Sequence, residues 1–447
     1  RITYGPTPVE IQRLATLGYD AFIEEQLNPE SIDDSAADAQ LVRFRVLTMG
    51  RRQLVKLEGY RLEIALQHGM VARAVHSRRQ LFERMFEFWT DHFNVGMNDE
   101  AFELVNYHQQ IRKHTLGRFS QLLAATAKHP AMLVYLDNFV NIAEHPNENY
   151  ARELLELHTL GVDGGYTEED IRQVARAFTG WTTHPRTHNG FYFDPEQHDS
   201  KVKKVLGHTL PAGRGIEDGY HVLNILANHP STARFISTKL CRRFVADRPP
   251  ATLVESTTKL FLQTQGDIKA ILRHILLSAE FNQSTGQKLR RPLDMLIGSL
   301  RATQTEIDET WHLDEILQAL DQKPFAWQPP NGYPDVAAAW ASPNSMLARW
   351  NVAMLLTHGA HTGTDESWGM RSNLDGLIGQ PKTVGELVDQ VATRVFGEPL
   401  NSAQSQPFIK YASDGQGATR SVDNHLFSRK YASLFGLMLA SPLYQWR

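Results

Sequence analysis

Hydrophobic positions recur along this chain at three- and four-residue spacing, interrupted by capping signals. Thr7-Pro8-Val9-Glu10 is a capping box with proline in the first helical turn, followed by Ile11 and Leu14 and a stop at Gly18. Comparable periodic stretches cover 20–28, 37–48, 51–70, 73–94, 98–113, 117–127, 147–160, 168–179, 218–227, 231–245, 251–263, 267–280, 290–303, 312–320, 343–357, 384–396 and 424–440. Strand signals are few, Phe191-Tyr192-Phe193 being the clearest. The pattern predicts an all-α, multi-helical protein with at most a small β-hairpin. Two segments lack the helical period: 182–215, dense in Pro, Gly and His, and 324–342, rich in proline and aromatics. Loops of that length inside a folded protein are functional or disordered.

The longest motif, NENYARELLELHTLG at 147–161, reads as one helix of about four turns, with Asn147 as its cap and Gly161 after its last turn. Glu148, Arg152 and Glu156 at spacings of four form an opposite-charge ladder, and a solvated ladder is the ordinary explanation of that face. Tyr150, Ala151, Leu154, Leu155, Leu157 and Leu160 make the apolar face. Glu153 falls at the seam between the two, where partial burial raises a carboxyl and fits it for general acid work. The competing reading pairs Glu153 with Arg172 or Arg176 as a helix tie. Asn149, one turn earlier, shares its side of the helix. His158 lies in the apolar face, as a satisfied core histidine or as the lining of a cavity.

FERMFEFWTDHFNV repeats the theme, with Phe82, Met85, Phe86, Trp89 and Phe93 as the stripe and His92 inside it. Asp91, beside Arg84 and Glu87, reads as a surface charge. If the faces carrying His92 and His158 meet, they create a polar spot that needs mutual satisfaction or a ligand.

Charge and composition narrow the function classes. At 447 residues the chain exceeds one typical core, so an N-terminal helical lobe (1–180), an irregular segment (181–215) and a C-terminal lobe (216–447) are expected. The 46 basic and 50 acidic residues give a net charge of -4 with no basic stripe, which argues against a nucleic-acid partner. No apolar run approaches the roughly 20 residues of a membrane span. The opening RITYGPTPVEI already reads as folded protein, which puts any export signal upstream. One cysteine, Cys241, excludes an intramolecular disulfide and reads as a core residue rather than a nucleophile. Phosphate-loop, dinucleotide and nucleophile-elbow patterns are missing from the sequence, and no cofactor is implied. A di-metal helix needs a glutamate where Leu155 stands, so no metal is assigned; His184, His188, His198 and Asp199 are metal-compatible only if their segment is helical, which Pro185 and Gly190 oppose.

FWTDHFNV, HPAMLVYLDN, NENYARELLELHTLGVDGGYTEEDIRQVARAFTGW, FYFDPEQHDSKVKKVLG and the terminal LASPLYQWR together resemble the bacterial family known as domain of unknown function 1800. The resemblance spans nearly the whole chain. It implies a large helical fold, an envelope or extracellular setting (periplasmic or secreted), and often an exported protein encoded alongside; it implies no catalytic residue list. Near 327–342, WQPPNGYPDVAAAWASP replaces a form richer in glycine and tryptophan.

Two function classes follow. The first is a hydrolase-type enzyme acting on an envelope or extracellular polymer, with polysaccharide preferred. In that reading Glu153 is the principal acid or base, with Glu148 and Asp199 as further catalytic carboxylates. Asn149, Arg152, His92, His158, Trp89, Trp181 and His198 bind substrate, with His92 and His158 forming the floor and Trp181 flanking the opening. Trp327, Tyr333 and Trp340 add flat aromatic surfaces, although tryptophans at helical spacing are commonly core. The alternative is a non-catalytic helical scaffold that binds an exported partner through its two irregular segments.

Overall fold

Local capping rules set many of the helix boundaries. In the computed structural model, which describes residues 1–97, 101–184, 190–307, 311–358, 370, 371, 374 and 376–447, the Thr7 hydroxyl accepts the Glu10 N–H at 3.3 Å and the Glu10 carboxylate accepts the Thr7 N–H at 3.0 Å. The helix Pro8–Leu17 then closes at Gly18, as the sequence predicts. Among the described residues there are twenty-three α-helices and three short antiparallel strand pairs, so the protein is all-α with small hairpins. No described helix is long and apolar enough to cross a membrane.

The 182–215 segment carries two of the strand pairs. Trp181–Thr183 pairs with Phe191–Phe193, and Lys203–Val205 with His208–Leu210. The strand expected at 191–193 is therefore present, with a partner that the sequence did not announce.

Several expected helices are divided: 51–70 is broken between Arg51–Leu54 and Gly59–His76, and 267–280 between Ile268–Leu276 and Ala279–Gln283. The stretch 73–94 breaks at Ser77, because the Asp34 carboxylate accepts both the Ser77 hydroxyl (2.8 Å) and the Arg78 N–H (2.7 Å). That leaves the helices Gly59–His76 and Gln80–His92. A carboxylate more than forty residues away in sequence supplies this cap, so periodicity alone cannot reveal it. The NENYARELLELHTLG helix starts at Asn149, whose N–H is held by the Asn147 side chain at 2.9 Å, but it does not stay α-helical. After Glu153 it widens into a π-turn over Leu154–Thr159, with the Leu160 N–H reaching back five residues to the Leu155 carbonyl at 2.8 Å. The Thr159 hydroxyl fills the widened turn by donating to the Leu154 carbonyl at 2.6 Å.

The larger apolar core draws on residues from Tyr4 to Leu356, on both sides of the 181–215 segment. A second cluster gathers the helices Val384–Phe396 and Asn424–Ala440 around Met295 and Ala302 of the helix Pro292–Thr303 and Ala353 of the helix Pro343–His358. The 292–303 helix is buried at every position and serves both cores.

Candidate functional site

The 80–92 helix is buried on both faces, and its second face is charged. Glu83, Arg84, Glu87 and Asp91 succeed one another along it, and Glu83 pairs with Arg112 at 2.6 Å. Arg84 pairs with Asp294, while Glu87 receives the guanidinium groups of Arg243 and Arg291 together with the Tyr4 hydroxyl at 2.9 Å. Arg447 closes the network on Asp294 at 2.6 Å. Burial would raise the Glu87 and Asp294 carboxyls, but the surrounding guanidinium groups outweigh it and hold both below their usual values. The reading of Asp91 as a surface charge is thereby corrected: it sits at the edge of this network, 2.7 Å from Arg291, with 23% of its side chain exposed. Periodicity found the apolar stripe, but the opposite stripe is covered by helices that bring their own arginines.

Beyond Asp91 the network opens into a cavity of about 230 Å³, lined by Asp91, His92, Lys239, Arg242, Tyr333 and Asp335 among others. The His92 and His158 faces do meet, with ring centroids 6.2 Å apart. His92 Nε2 lies 3.1 Å from the His158 carbonyl, which can only accept, so the ring proton resides on Nε2. Nδ1 is then an acceptor for the Lys239 ammonium at 2.9 Å. Burial, with Lys239 and His158 nearby, pushes His92 well below its ordinary value, and burial with Lys239 pushes His158 down to about 3. Both rings are therefore neutral at physiological pH. Among the described residues His158 Nε2 has no hydrogen-bond partner.

Three ionisable groups around the cavity are displaced in different directions. Burial raises Asp91 to about 6, offset in part by Arg291 and reinforced by Glu87. Asp335 is also pushed up by burial, but Arg243, Lys288 and Arg291 overcome that and hold it far below the carboxylate range. Burial lowers Lys239 to about 8, against the attraction of Asp91 and Asp335.

The wall facing the helix is the 324–342 loop, ordered here by specific anchors. The Asn94 amide donates to the Trp327 and Pro329 carbonyls, each at 2.8 Å. Lys288 reaches the Asp335 carbonyl at 2.8 Å, and the Ala337 N–H donates to Asp247 at 2.6 Å. Trp327, Tyr333 and Trp340 pack in series, with centroids 4.9 and 5.9 Å apart. Gly332, at φ 68°, lets the loop backbone lie on the helix end: a Cβ there would stand 1.8 Å from the Asp91 carbonyl oxygen.

The other sequence-predicted residues are dispersed. Glu153 is half-buried and raised by burial and by Glu156 against Arg152, but it is not among the residues lining this cavity. Its suggested partners are engaged elsewhere, Arg172 by Glu169 and Arg176 by Asp199, each at 2.7 Å. The ladder forms as expected, Arg152 standing 3.6 Å from Glu148 and 3.5 Å from Glu156, with a shorter bond of 2.8 Å to Glu168. Asn149 donates to the Leu136 carbonyl at 3.2 Å. Trp89 is enclosed by Phe93 and Phe119, its indole N–H donating to the Thr115 carbonyl at 3.0 Å. Trp181 is fully buried between Phe178, Phe191 and Tyr220, a core position and not the rim of an opening. His198 is held by the Thr179 carbonyl at 2.8 Å, and Asp199 by Arg176, so both fasten the hairpin segment to the helix Glu168–Ala177 and its end. Cys241 is buried and its thiol raised to about 11.

Among the described residues no group of three or more His, Cys, Asp or Glu side chains is arranged to hold a metal ion; His188 lies outside them. Sequence reasoning missed Lys239, Arg243, Arg291 and Asp335. The readable signal was the set of charges at 83, 84 and 91, three or four positions from Glu87, on a helix whose other face is strongly apolar. Such a set inside a large protein asks for buried counter-charges.

A family model described as "Protein of unknown function (DUF1800)" matches residues 1–446. No curated protein and no solved structure matches the chain.

Proposed function

We propose that this chain, which belongs to the DUF1800 family, is a hydrolase-type enzyme whose acid–base chemistry is seated in the Asp91–Lys239–Asp335 cavity. It acts on an envelope or extracellular polymer, a polysaccharide foremost, in the periplasm or outside the cell. The observation that carries this reading is a pair of carboxyl groups lining one cavity in unlike settings. Among the described residues Asp91 meets Arg291 alone, at 2.7 Å, and is raised to about 6, while Asp335 lies 3.7 Å from Arg243 and 3.2 Å from Lys288, which hold it below the carboxylate range. Environments that drive two titratable groups apart are how one site provides an acid and an anionic partner together.

In this scheme Asp91 donates a proton to the leaving oxygen as the glycosidic C–O bond breaks, and Asp335 stabilises the positive charge that develops on the sugar carbon. Water adds to that carbon and returns its proton to Asp91. His92, locked as a neutral acceptor at Nδ1, orients the Lys239 amine. Tyr333 supplies a flat wall for the substrate ring.

The test is a comparison of Asp91→Asn with Glu153→Gln on envelope polysaccharides that the parent degrades. Asp91→Asn should lose about 10²- to 10⁴-fold in kcat, the usual worth of a general acid, while Glu153→Gln stays near the parent. The reverse order would return the acid to Glu153. A parent that degrades no polymer would favour the scaffold alternative.

A further inference from the structure

The cations lining the cavity are not equivalent. Arg243 and Arg291 are each ion-paired, the first with Glu87 and Asp335 and the second with Glu87 and Asp91. Lys239 and Arg242 are not. Lys239 bonds to the neutral His92 ring at 2.9 Å and lies 5.4 Å from the centre of the Phe235 ring. Arg242 donates Nε to the Asp247 backbone carbonyl at 3.2 Å. Among the described residues neither has a carboxylate at ion-pairing distance, because Asp247 itself is taken by Lys288 at 2.7 Å and by the Ala337 N–H. The two stand three positions apart on the helix Pro230–Phe244, hence on adjacent points of its surface, and both line the same cavity.

A partly buried cation without a counter-charge is unfavourable, and the lowering of Lys239 to about 8 expresses that cost. An oxyanion placed between the two would offset it and move Lys239 back toward its ordinary value. The adjacent guanidinium offers the paired N–H groups that suit a carboxylate or phosphate.

We propose that Lys239 and Arg242 form an oxyanion-binding subsite, so that the substrate of this cavity is an acidic one, carrying a carboxylate or a phosphate on the unit held beside Asp91. This deepens the hydrolase reading and rests on it for the word substrate; the binding itself does not depend on turnover. The volume of about 230 Å³ is below the roughly 300–1,000 Å³ of sites for drug-sized ligands. One acidic unit, not a long segment of polymer, is enclosed.

Titration calorimetry of the intact protein at pH 7 with glucuronate, glucose 6-phosphate, inorganic phosphate and neutral glucose tests the subsite. At least one anion should bind about tenfold or more tightly than glucose, equivalent to about 1.4 kcal/mol. Preference for glucuronate assigns a carboxylate, and preference for the phosphates assigns a phosphoryl group. Lys239→Met and Arg242→Gln should each abolish the preference while keeping the parental circular dichroism and melting profile. A parent that does not distinguish the anions from glucose overturns the proposal, whatever the variants do. So does a preference that survives in either folded variant. Asp91→Asn separates this inference from the hydrolase reading: anion binding retained alongside undiminished turnover would remove Asp91 from the chemistry and leave the subsite standing.

Discussion

Asp91 and His92 are sequence neighbours with opposite electrostatic fates. The carboxyl is raised to about 6 by burial, and the imidazole is driven far below neutrality by the same cause, since burial always penalises the charged form. A general acid must carry its proton, so kcat/KM is expected to be level below about pH 6 and to fall about tenfold per unit above it, following the protonated fraction of Asp91. A pH–rate profile checks this; a rate that instead rises through pH 6 would make Asp91 a base. His92 should contribute no limb in that range. At this scale the sequence was half legible. It showed two histidines on apolar faces that could meet, and they do. It also marked Glu153 as a carboxyl that partial burial raises, and it is raised. What it could not show is which carboxyl shares a cavity with opposing charge, because Lys239, Arg291 and Asp335 arrive from elements more than one hundred residues away.

Among the elements, helices announced by local caps were readable, while those shaped by distant partners were not. Thr7 with Glu10 is a local exchange, and the chain follows it; at 147–161 the cap falls one residue after the expected Asn147, at Glu148. The break at Ser77 and the order of the 324–342 loop depend on Asp34 and Asn94, side chains remote in sequence from what they hold. The loop gives a direct test through Gly332. Gly332→Ala imposes a left-handed alanine, costing about 1–2 kcal/mol, and also drives a methyl group into the Asp91 carbonyl, so the wall must retreat. Gly213→Ala is the matched control, with φ 79° and open space around it. Both variants should melt lower, but only Gly332→Ala should lose activity, by about tenfold or more for a displacement of the order of 1 Å. Equal activity in the two would separate the loop from the site.

Across the whole molecule, the charged network does what apolar contacts do elsewhere: it joins remote parts of the chain. Tyr4, Arg84, Glu87, Arg243, Arg291, Asp294 and Arg447 meet in one buried cluster. Breaking such a cluster by removing one charge leaves others unpaired inside the protein, and Glu87→Gln should cost about 3–5 kcal/mol in urea denaturation. A loss below about 1 kcal/mol would put these pairs in the class of surface ion pairs. The all-α architecture was visible in the helical spacing. The sharing of the 292–303 helix between two cores was not, since a helix buried on every side has no polar face to reveal its orientation.

The π-turn at Leu154–Thr159 also has a meaning for descent. Such a turn is an α-helix that has accepted one extra residue, and losing that residue would let the regular ladder run through. One residue corresponds to about 100° of rotation and 1.5 Å of rise. A lineage with a single-codon deletion here would keep His158 against His92 while swinging Glu153 and the Arg152 ladder to another side of the helix. The two ends of NENYARELLELHTLG are thus set at different angles, one tied to the cavity through Leu157 and the His158–His92 contact, the other to Glu168 through Arg152.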